Sequence, residues 1–133
     1  MALDMFTQIE KLALGLDAAW KRNEVIANNI ANNDTPGFKR SELAFEDHYR
    51  AALAGESDFS LKRTRDKHMD IGIDHGALMT VQEDQSESMR MDGNNVDIEK
   101  EMSDLASNVI YYQTLQKKVS SEISQLSIAI RGQ

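Results

Sequence analysis

Apolar residues recur through the N-terminal part of the chain in alternating steps of four and three positions. This spacing places side chains along one seam of an α-helix and predicts a helix over residues 1–33. Trp20 lies beside the seam, where such a residue usually anchors a core or an interface. The members of the seam are Met5, Ile9, Leu12, Leu16, Ala19, Asn23, Ile26 and Ile30.

A second stripe with the same spacing runs through the C-terminal part of the chain and predicts a helix over residues 97–133. Asp97 stands where its carboxylate can cap free N–H groups, and Glu99 and Glu101 follow at the positive end of the helix dipole. The members of this stripe are Ile98, Met102, Leu105, Val109, Tyr112, Gln116, Val119, Ile123, Leu126 and Ile130.

Each stripe is too narrow to be buried by its own helix, so each needs the other helix or a neighbouring molecule. The pattern therefore predicts one mainly α domain, residues 1–133, whose long terminal helices pair as a coiled coil around a short, partly irregular middle segment, residues 34–96. Among several antiparallel registers, one sets Asn23 against Gln116. In that register the apolar neighbours are Ile30 with Val109, Ile26 with Tyr112, and Leu16 with Ile123.

The middle segment shows weaker patterns. "SELAFEDHYRAALAG", residues 41–55, carries an apolar helical face and predicts a short helix with Ser41 as a possible cap. "HMDIGID" alternates apolar and polar residues, and "DHG" can turn it into "ALMTV" as a small β-hairpin. Residues 82–95, "QEDQSESMRMDGNN", are acidic and amide-rich, which predicts a mobile loop.

The stretch "NNIANNDTPGFKR", residues 28–40, ends the first helix. Side chains from Asn32 onward can bond local backbone, and Pro36 with Gly37 fits the central positions of a type II turn after an extended Thr35. Phe38 is then redirected onto a neighbour, and we expect Lys39 and Arg40 to point outward. A well-made helix end is the simpler interpretation. However, a row of amides that both donate and accept can also join neighbouring subunits. Those amides are Asn23, Asn28, Asn29, Asn32 and Asn33.

Composition narrows the classes of function. The 22 acidic and 15 basic residues give a net charge of -7, which argues against a nucleic-acid surface. The chain has no cysteine, so it forms neither disulfides nor thiolate metal sites. Charged residues interrupt the apolar N-terminal stretch, and we expect no cleaved signal peptide. No stretch has the length and apolar character of a membrane span.

Candidate chemistry is sparse. His68, Asp70, Asp74 and His75 lie close together, but loops often collect such residues for solvation, so we expect no metal. "DGNNVDIEKE" fails as a calcium loop because Val96 stands where an oxygen ligand is required. No serine has an activating base at a suggestive spacing, and no glycine-rich phosphate loop is present. We therefore expect no enzyme, no cofactor and no small-molecule substrate.

Two stretches carry a resemblance to a known family. "ANNIANNDTPGFKR" has the form A-N-N-I-A-N-x-x-T-P-G-[FY]-K, which is similar to flagellar rod, hook and related axial proteins. "DGNNVDIEKEM", with Asn94, Asn95 and Asp97 before the second helix, narrows the resemblance to the short rod proteins. "TRDKHM" and the short middle segment are similar to the proximal type. The chain thus resembles the flagellar basal-body rod proteins.

This resemblance implies a structural subunit of the proximal rod, the hollow drive shaft that crosses the bacterial periplasm. Members assemble helically through their terminal helices and leave the cell unfolded through the flagellar type III export apparatus. The implied partners are copies of the same chain, other rod proteins, the rod-base protein, the membrane ring and the export apparatus.

The stripes predict an assembly interface on both helices. We expect it to comprise Ile9, Leu12, Leu16, Trp20, Asn23, Ile26, Asn29, Ile30, Leu105, Val109, Tyr112, Gln116, Val119, Ile123 and Leu126. A different class of function stays open: a soluble helical-hairpin adaptor or chaperone that binds one partner helix. An adaptor stops at a closed complex, whereas a rod subunit forms open helical assemblies.

Overall fold

The computed structural model of the chain describes residues 2–46, 50, 79–88 and 90–132 and, for residues 2–7, the backbone alone. Within these residues it has two long helices and two short strands: α1 (Ala2–Ala31), β1 (Ser41–Ala44), β2 (Thr80–Glu83) and α2 (Ile98–Arg131). The predicted mainly α fold, with long paired terminal helices and a small β element between them, is confirmed.

The start of α2 follows from its cap. The Asp97 carboxylate accepts hydrogen bonds from the backbone N–H groups of Glu99 and Lys100, at 3.0 and 3.3 Å. These are two of the donors that a helix leaves unpaired at its first turn, so the predicted cap is confirmed. Within the described residues, neither helix combines the length and apolar character that crossing a membrane requires.

The two helices pair antiparallel, in a register that differs from the predicted one. Asn108 Nδ2 donates to the backbone oxygen of Ala19 and to Asn23 Oδ1, both at 2.8 Å. Further along the pair, a Cβ added at Gly15 would lie 3.3 Å from Leu115 Cδ1. Gln116 is exposed, so the predicted Asn23–Gln116 pairing is wrong.

The register differs because α2 turns another stripe toward α1. Most of the buried and half-buried side chains of α2 follow the four-and-three spacing from Glu101, not from Ile98. We call this set the inner seam: Glu101, Leu105, Asn108, Tyr112, Leu115, Val119, Glu122 and Leu126. Three of its members are polar, and periodicity of apolar residues could not select it, because a buried polar side chain is acceptable only when its hydrogen-bond partners are present.

The small sheet uses different strands from those expected. β1 and β2 pair antiparallel with Ser41 opposite Glu83 and Ala44 opposite Thr80. Ser41–Ala44 was predicted to begin a helix, and that prediction is wrong. Leu43 and Phe45 alternate inward, which is the spacing of a strand with one buried face. Further along the predicted helix, Glu46 and Arg50 are helical, and residues 47–49 and 51–55 lie outside the described residues. The first arm of the predicted hairpin also lies outside them.

The apolar core lies between α1 and this sheet. Leu14 and Ala18 of α1 are buried against Leu43 and Phe45, and Met79 packs on the same cluster. Because α1 packs against the sheet on one side and pairs with α2, the end of α1, the turn that follows it and the start of α2 are brought close together.

Candidate functional site

The two stretches that carry the family resemblance meet at one place in the fold. We call this place the motif junction; it comprises Asn29, residues 32–42 and residues 92–101. It is built almost entirely from hydrogen bonds between side-chain amides and backbone groups. The local turns of the first stretch present backbone groups, and the second stretch supplies the side chains that bond them.

The turn after α1 has the predicted form. Phe38 N–H donates to the Thr35 carbonyl at 3.3 Å, and Gly37 has a φ of 72°, as the third residue of a type II turn requires. Asn32 Nδ2 donates to the Asn28 carbonyl at 2.9 Å, which draws the chain out of the helix. The type II turn at Pro36 and Gly37 is therefore confirmed.

Asn94 joins the second stretch to that turn. It is fully buried, and its Nδ2 donates to the carbonyls of Asn32 and Asn33 at 2.9 Å and of Thr35 at 3.0 Å. Its Oδ1 accepts from Val96 N–H at 2.8 Å. These three carbonyls belong to the turn that follows α1, so this one amide ties the second stretch to that turn.

Asn95 continues the connection toward the sheet. Its Oδ1 accepts from Arg40 N–H at 2.7 Å, and its Nδ2 donates to the Asp84 carbonyl at 3.0 Å. Asp84 N–H in turn donates to the Arg40 carbonyl at 2.8 Å. Residues 82–95 were predicted to form a mobile loop, but the described part of this segment is tied to the turn by backbone and side-chain bonds. Composition does not reveal such ties, because they depend on a partner distant in sequence.

Asn29 faces the inside of the chain. Its Oδ1 accepts from Ser41 N–H at 2.9 Å, and its Nδ2 donates to the Ser41 carbonyl at 2.8 Å and to Glu101 Oε2 at 2.9 Å. The amide thus pairs with Ser41 as a neighbouring strand would, and this holds β1 in its extended form.

A buried ion pair lies beneath the amides. Arg40 Nε donates to Glu101 Oε1 at 2.5 Å, and its Nη1 donates to Glu42 at 2.9 Å. Burial lowers the pKa of Arg40, but the bonds to Glu101 and Glu42 outweigh it and raise that pKa above its usual value. The predicted outward Arg40 is wrong, because Arg40 is buried. Glu101 lies in the first turn of α2, at the positive end of the helix dipole, as predicted, but it is also fully buried, which was not predicted. The position of Glu101 on the inner seam was the signal that could have indicated its burial.

Two half-buried carboxylates, Asp92 and Asp84, stabilise turns before the second helix. Asp92 Oδ1 accepts from Asn94 N–H at 3.1 Å, and Asp92 also pairs with Arg90 at 2.8 Å. The backbone bond from Asn94 is the main reason that the pKa of Asp92 is lowered. A bond from Ser86 N–H lowers the pKa of Asp84 in the same way. Both carboxylates are therefore held in the charged form by the turns that they stabilise.

The predicted interface residues divide between the inside and the outside of the chain. Asn29 and Ile26 are buried, and Trp20 is 62% exposed. Those that are half-buried are Ile9, Leu12, Leu16, Asn23, Ile30, Leu105, Tyr112, Val119 and Leu126. Those that are exposed on α2 are Val109, Gln116 and Ile123. The predicted stripe of α2 thus supplies some contacts within the chain and leaves others on the surface.

The described residues place no group of three or more His, Asp or Glu side chains where they could hold a metal ion. The four His and Asp residues noted between positions 68 and 75 lie outside the described part of the chain.

Comparison with known proteins supports the family resemblance that the two stretches of the motif junction carry. Residues 12–39 match the family model for "Flagella basal body rod protein". The chain is 36% identical over 122 residues to the flagellar basal body rod protein FlgB of Borrelia hermsii, covering 87% of this chain and 90% of that protein. It is 32% identical over 126 residues to FlgB of Bacillus subtilis, covering 93% of each. FlgB of Aeromonas hydrophila is 36% identical over 113 residues, which cover 85% of this chain and 84% of that protein.

These similarities extend over most of the chain, including both helices and the two stretches that meet at the motif junction. Membership in a family of structural rod proteins places the chain in the basal body, in association with other rod components, and excludes an enzyme. The chain belongs to the FlgB family of flagellar basal body rod proteins.

Proposed function

We propose that this chain assembles helically, through the outer faces of its terminal helices, into the proximal part of the hollow rod. The observation that carries the proposal is a row of apolar side chains that α2 leaves on its surface. We call this row the outer stripe: Ile98, Met102, Val109, Ile123 and Ile130. Ile123 is 53% exposed and Ile130 is 81% exposed.

The outer stripe is more apolar than the seam that α2 uses within the chain. Pairing with α1 buries the polar side chains of Glu101, Asn108 and Glu122, whereas the five large apolar side chains of the outer stripe stay exposed. Full burial of one large aliphatic side chain contributes roughly 1.5–3 kcal/mol, so covering several of them favours association with another helix.

A second surface lies on α1. Trp20 is the large exposed apolar residue among the described side chains of that helix, and Ala27 is exposed on the same side. Open helical assemblies require two unlike surfaces on each subunit, because a surface that pairs with itself closes a dimer. The outer stripe and the Trp20 surface supply such a pair.

The further parts of the proposal concern partners and location. The proposal includes contact with the rod-base protein and the membrane ring, export in an unfolded state and residence in the periplasm, and membership of the rod-protein family supports these parts. The absence of cysteine is compatible with export as an unfolded chain, since no disulfide has to form or break. In the folded chain, the motif junction holds the end of α1 and the start of α2 together.

The test replaces two residues of the outer stripe with aspartate, in Met102→Asp with Ile123→Asp. The matched control is Ser103→Asp with Ser124→Asp, which adds the same charge at exposed positions one residue away. We expect the stripe variant to keep its helical circular dichroism but to lose assembly with partner rod proteins in sedimentation and electron microscopy. It should also fail to restore motility in a deletion strain, whereas the control restores it.

Assembly and motility of the stripe variant at the level of the control would contradict the proposal. A closed complex of fixed size, under every condition that includes rod partners, would instead indicate an adaptor or chaperone. Ile26 is buried within the chain, so Ile26→Asp tests folding and does not serve as an assembly variant.

A further inference from the structure

Asp92 and Gly93 form the only Asp–Gly pair in the sequence, which contains no Asn–Gly pair. Such a pair is chemically labile, because glycine has no side chain to hinder attack by its own nitrogen on the preceding carboxyl group. The turn before α2 favours both residues. Gly93 has a φ of 76°, which suits glycine, and the Asp92 carboxylate accepts a hydrogen bond from the N–H of Asn94. The geometry of the motif junction thus calls for a labile pair at this position.

The rearrangement of an Asp–Gly pair uses only the chain itself and water. The Gly93 nitrogen attacks Cγ of Asp92, a new N–C bond forms, and the carboxyl hydroxyl leaves with the amide proton as water. Water then opens the five-membered succinimide ring at either of its carbonyls. Opening at the main-chain carbonyl of Asp92 gives isoaspartate, in which the backbone runs through the former side chain and is one carbon longer.

The folded turn holds both reacting groups in unreactive states. Gly93 N–H donates to the Arg90 carbonyl at 3.1 Å, and an amide bonded in this way gives up its proton slowly. Asp92 Oδ1 accepts from Asn94 N–H at 3.1 Å, and its Oδ2 pairs with Arg90 at 2.8 Å. The Asn94 bond is the main cause of the lowered pKa of Asp92, so the carboxyl stays ionised and does not readily lose hydroxide.

The main chain at Asp92 also joins the two stretches of the motif junction. Its carbonyl accepts the N–H of Gly37 at 2.8 Å, within the type II turn. Asn94, two residues further on, donates from its side chain to three carbonyls of the same region. An extra backbone carbon at Asp92 displaces these groups from their partners, and hydrogen bonds weaken steeply when their distance and angle change.

We propose that Asp92 is a site of spontaneous conversion to isoaspartate, that the folded motif junction suppresses this conversion, and that a converted chain forms the junction poorly. The unfolded chain is the reactive form, because the hydrogen bonds that restrain Asp92 and Gly93 are absent from it. Isoaspartate at residue 92 therefore accumulates in chains that have stayed unfolded. The conversion occurs within a single chain and is independent of the helical assembly proposed above.

The first test compares the full chain in native buffer with the same chain unfolded in guanidinium chloride, both at mildly acidic pH and physiological temperature. Peptide mapping with electron-transfer fragmentation distinguishes isoaspartate from aspartate and gives the conversion rate at Asp92. We expect conversion to be at least tenfold faster in the unfolded chain. In native buffer, Asn94→Ala loosens the junction and should accelerate conversion at least threefold. Asn28→Ala, at an exposed amide of the first stretch, should leave the rate unchanged.

The second test measures what the modification does to the fold. Chains with isoaspartate at residue 92 are separated by chromatography after the unfolded incubation and returned to native buffer beside unconverted chains from the same sample. We expect urea denaturation to give the converted chains an equilibrium constant for folding at least fivefold smaller. Asp92→Glu, which would have to form a six-membered ring and therefore reacts slowly, should yield no converted fraction.

Equal conversion rates in folded and unfolded chains would overturn the proposed suppression, as would an unchanged rate in Asn94→Ala. Converted chains as stable as unconverted ones would overturn the proposed effect on the motif junction.

Discussion

At the scale of single residues, asparagine side chains form many of the hydrogen bonds that join the end of α1 to the start of α2. Asn94 and Asn95 bond backbone groups that lie far away in sequence, and Asn29 bonds the backbone of Ser41 and the distant side chain of Glu101. An amide has donors and an acceptor, so it can replace the pairing that a neighbouring strand or the next helical turn would supply. No charge has to be buried to obtain these bonds, in contrast to the Arg40–Glu101 pair beneath them.

Asn94→Ala tests the amide with the largest number of these bonds. The substitution leaves the carbonyls of Asn32, Asn33 and Thr35 without their shared donor. We expect the free energy of unfolding to fall by about 1–3 kcal/mol, since a buried group loses its partner. Urea denaturation followed by circular dichroism measures the change. Asn28→Ala, at an exposed amide of the same stretch, should shift it by less than about 0.5 kcal/mol. Equal stabilities of the two variants would contradict the role assigned to Asn94.

Asp92 makes the stability of the folded chain depend on pH. Its pKa in the folded chain is lowered from the usual 3.8, so the folded state holds a proton less tightly than the unfolded state does. The stabilisation is fully present above pH 3.8 and is lost as the pH falls through the lowered value. We expect Asp92→Asn to lose less stability on acidification than the unsubstituted chain, measured as the urea midpoint from neutral pH to about pH 2. Parallel curves for the two proteins would show that Asp92 does not contribute.

At the scale of elements, the register of α1 against α2 is set by polar side chains within the seam. Asn23 and Asn108 bond each other, and Asn29 bonds Glu101 further along the pair. Shifting α2 along α1 would leave these groups buried without partners, which costs more than a change of apolar neighbours. A polar pair in a helical seam therefore selects one register among several that bury similar apolar area.

Asn23→Ala compared with Gln116→Ala distinguishes the observed register from the one that the stripes predicted. Without Asn23, the buried Asn108 amide loses an acceptor, and we expect a loss of about 1–2 kcal/mol in the free energy of unfolding. Gln116 is exposed, so its replacement should change that free energy by less than about 0.5 kcal/mol. Thermal and urea unfolding of the isolated chain give both values. A larger effect at Gln116 would favour the predicted pairing.

At the scale of the whole molecule, α2 has two faces of different composition. The inner seam holds the chain together through polar contacts, and the outer stripe keeps large apolar side chains on the surface. A chain that used its most apolar stripe internally would have little left with which to bind a neighbour. This division lets one helix close the subunit and still present apolar side chains to a neighbour.

Much of the fold follows from local patterns. The two helices, the Asp97 cap and the turn at Pro36 and Gly37 depend on residues close to each other in sequence, so periodicity and turn chemistry predict them. The two stretches of the motif junction were recognised in the sequence, but their contact was not predicted. Each of the central amides has partners more than fifty residues away.

The sequence by itself determined that two long helices form, that each carries an apolar stripe in need of cover, and which family motifs flank the middle segment. Only the tertiary structure decided which stripe of α2 faces α1, that Ser41–Ala44 is a strand, and that Asn29, Arg40 and Glu101 share one buried network. The reason is physical. Apolar burial is nearly non-directional and leaves several pairings close in free energy, whereas hydrogen bonds between distant groups form in one geometry only.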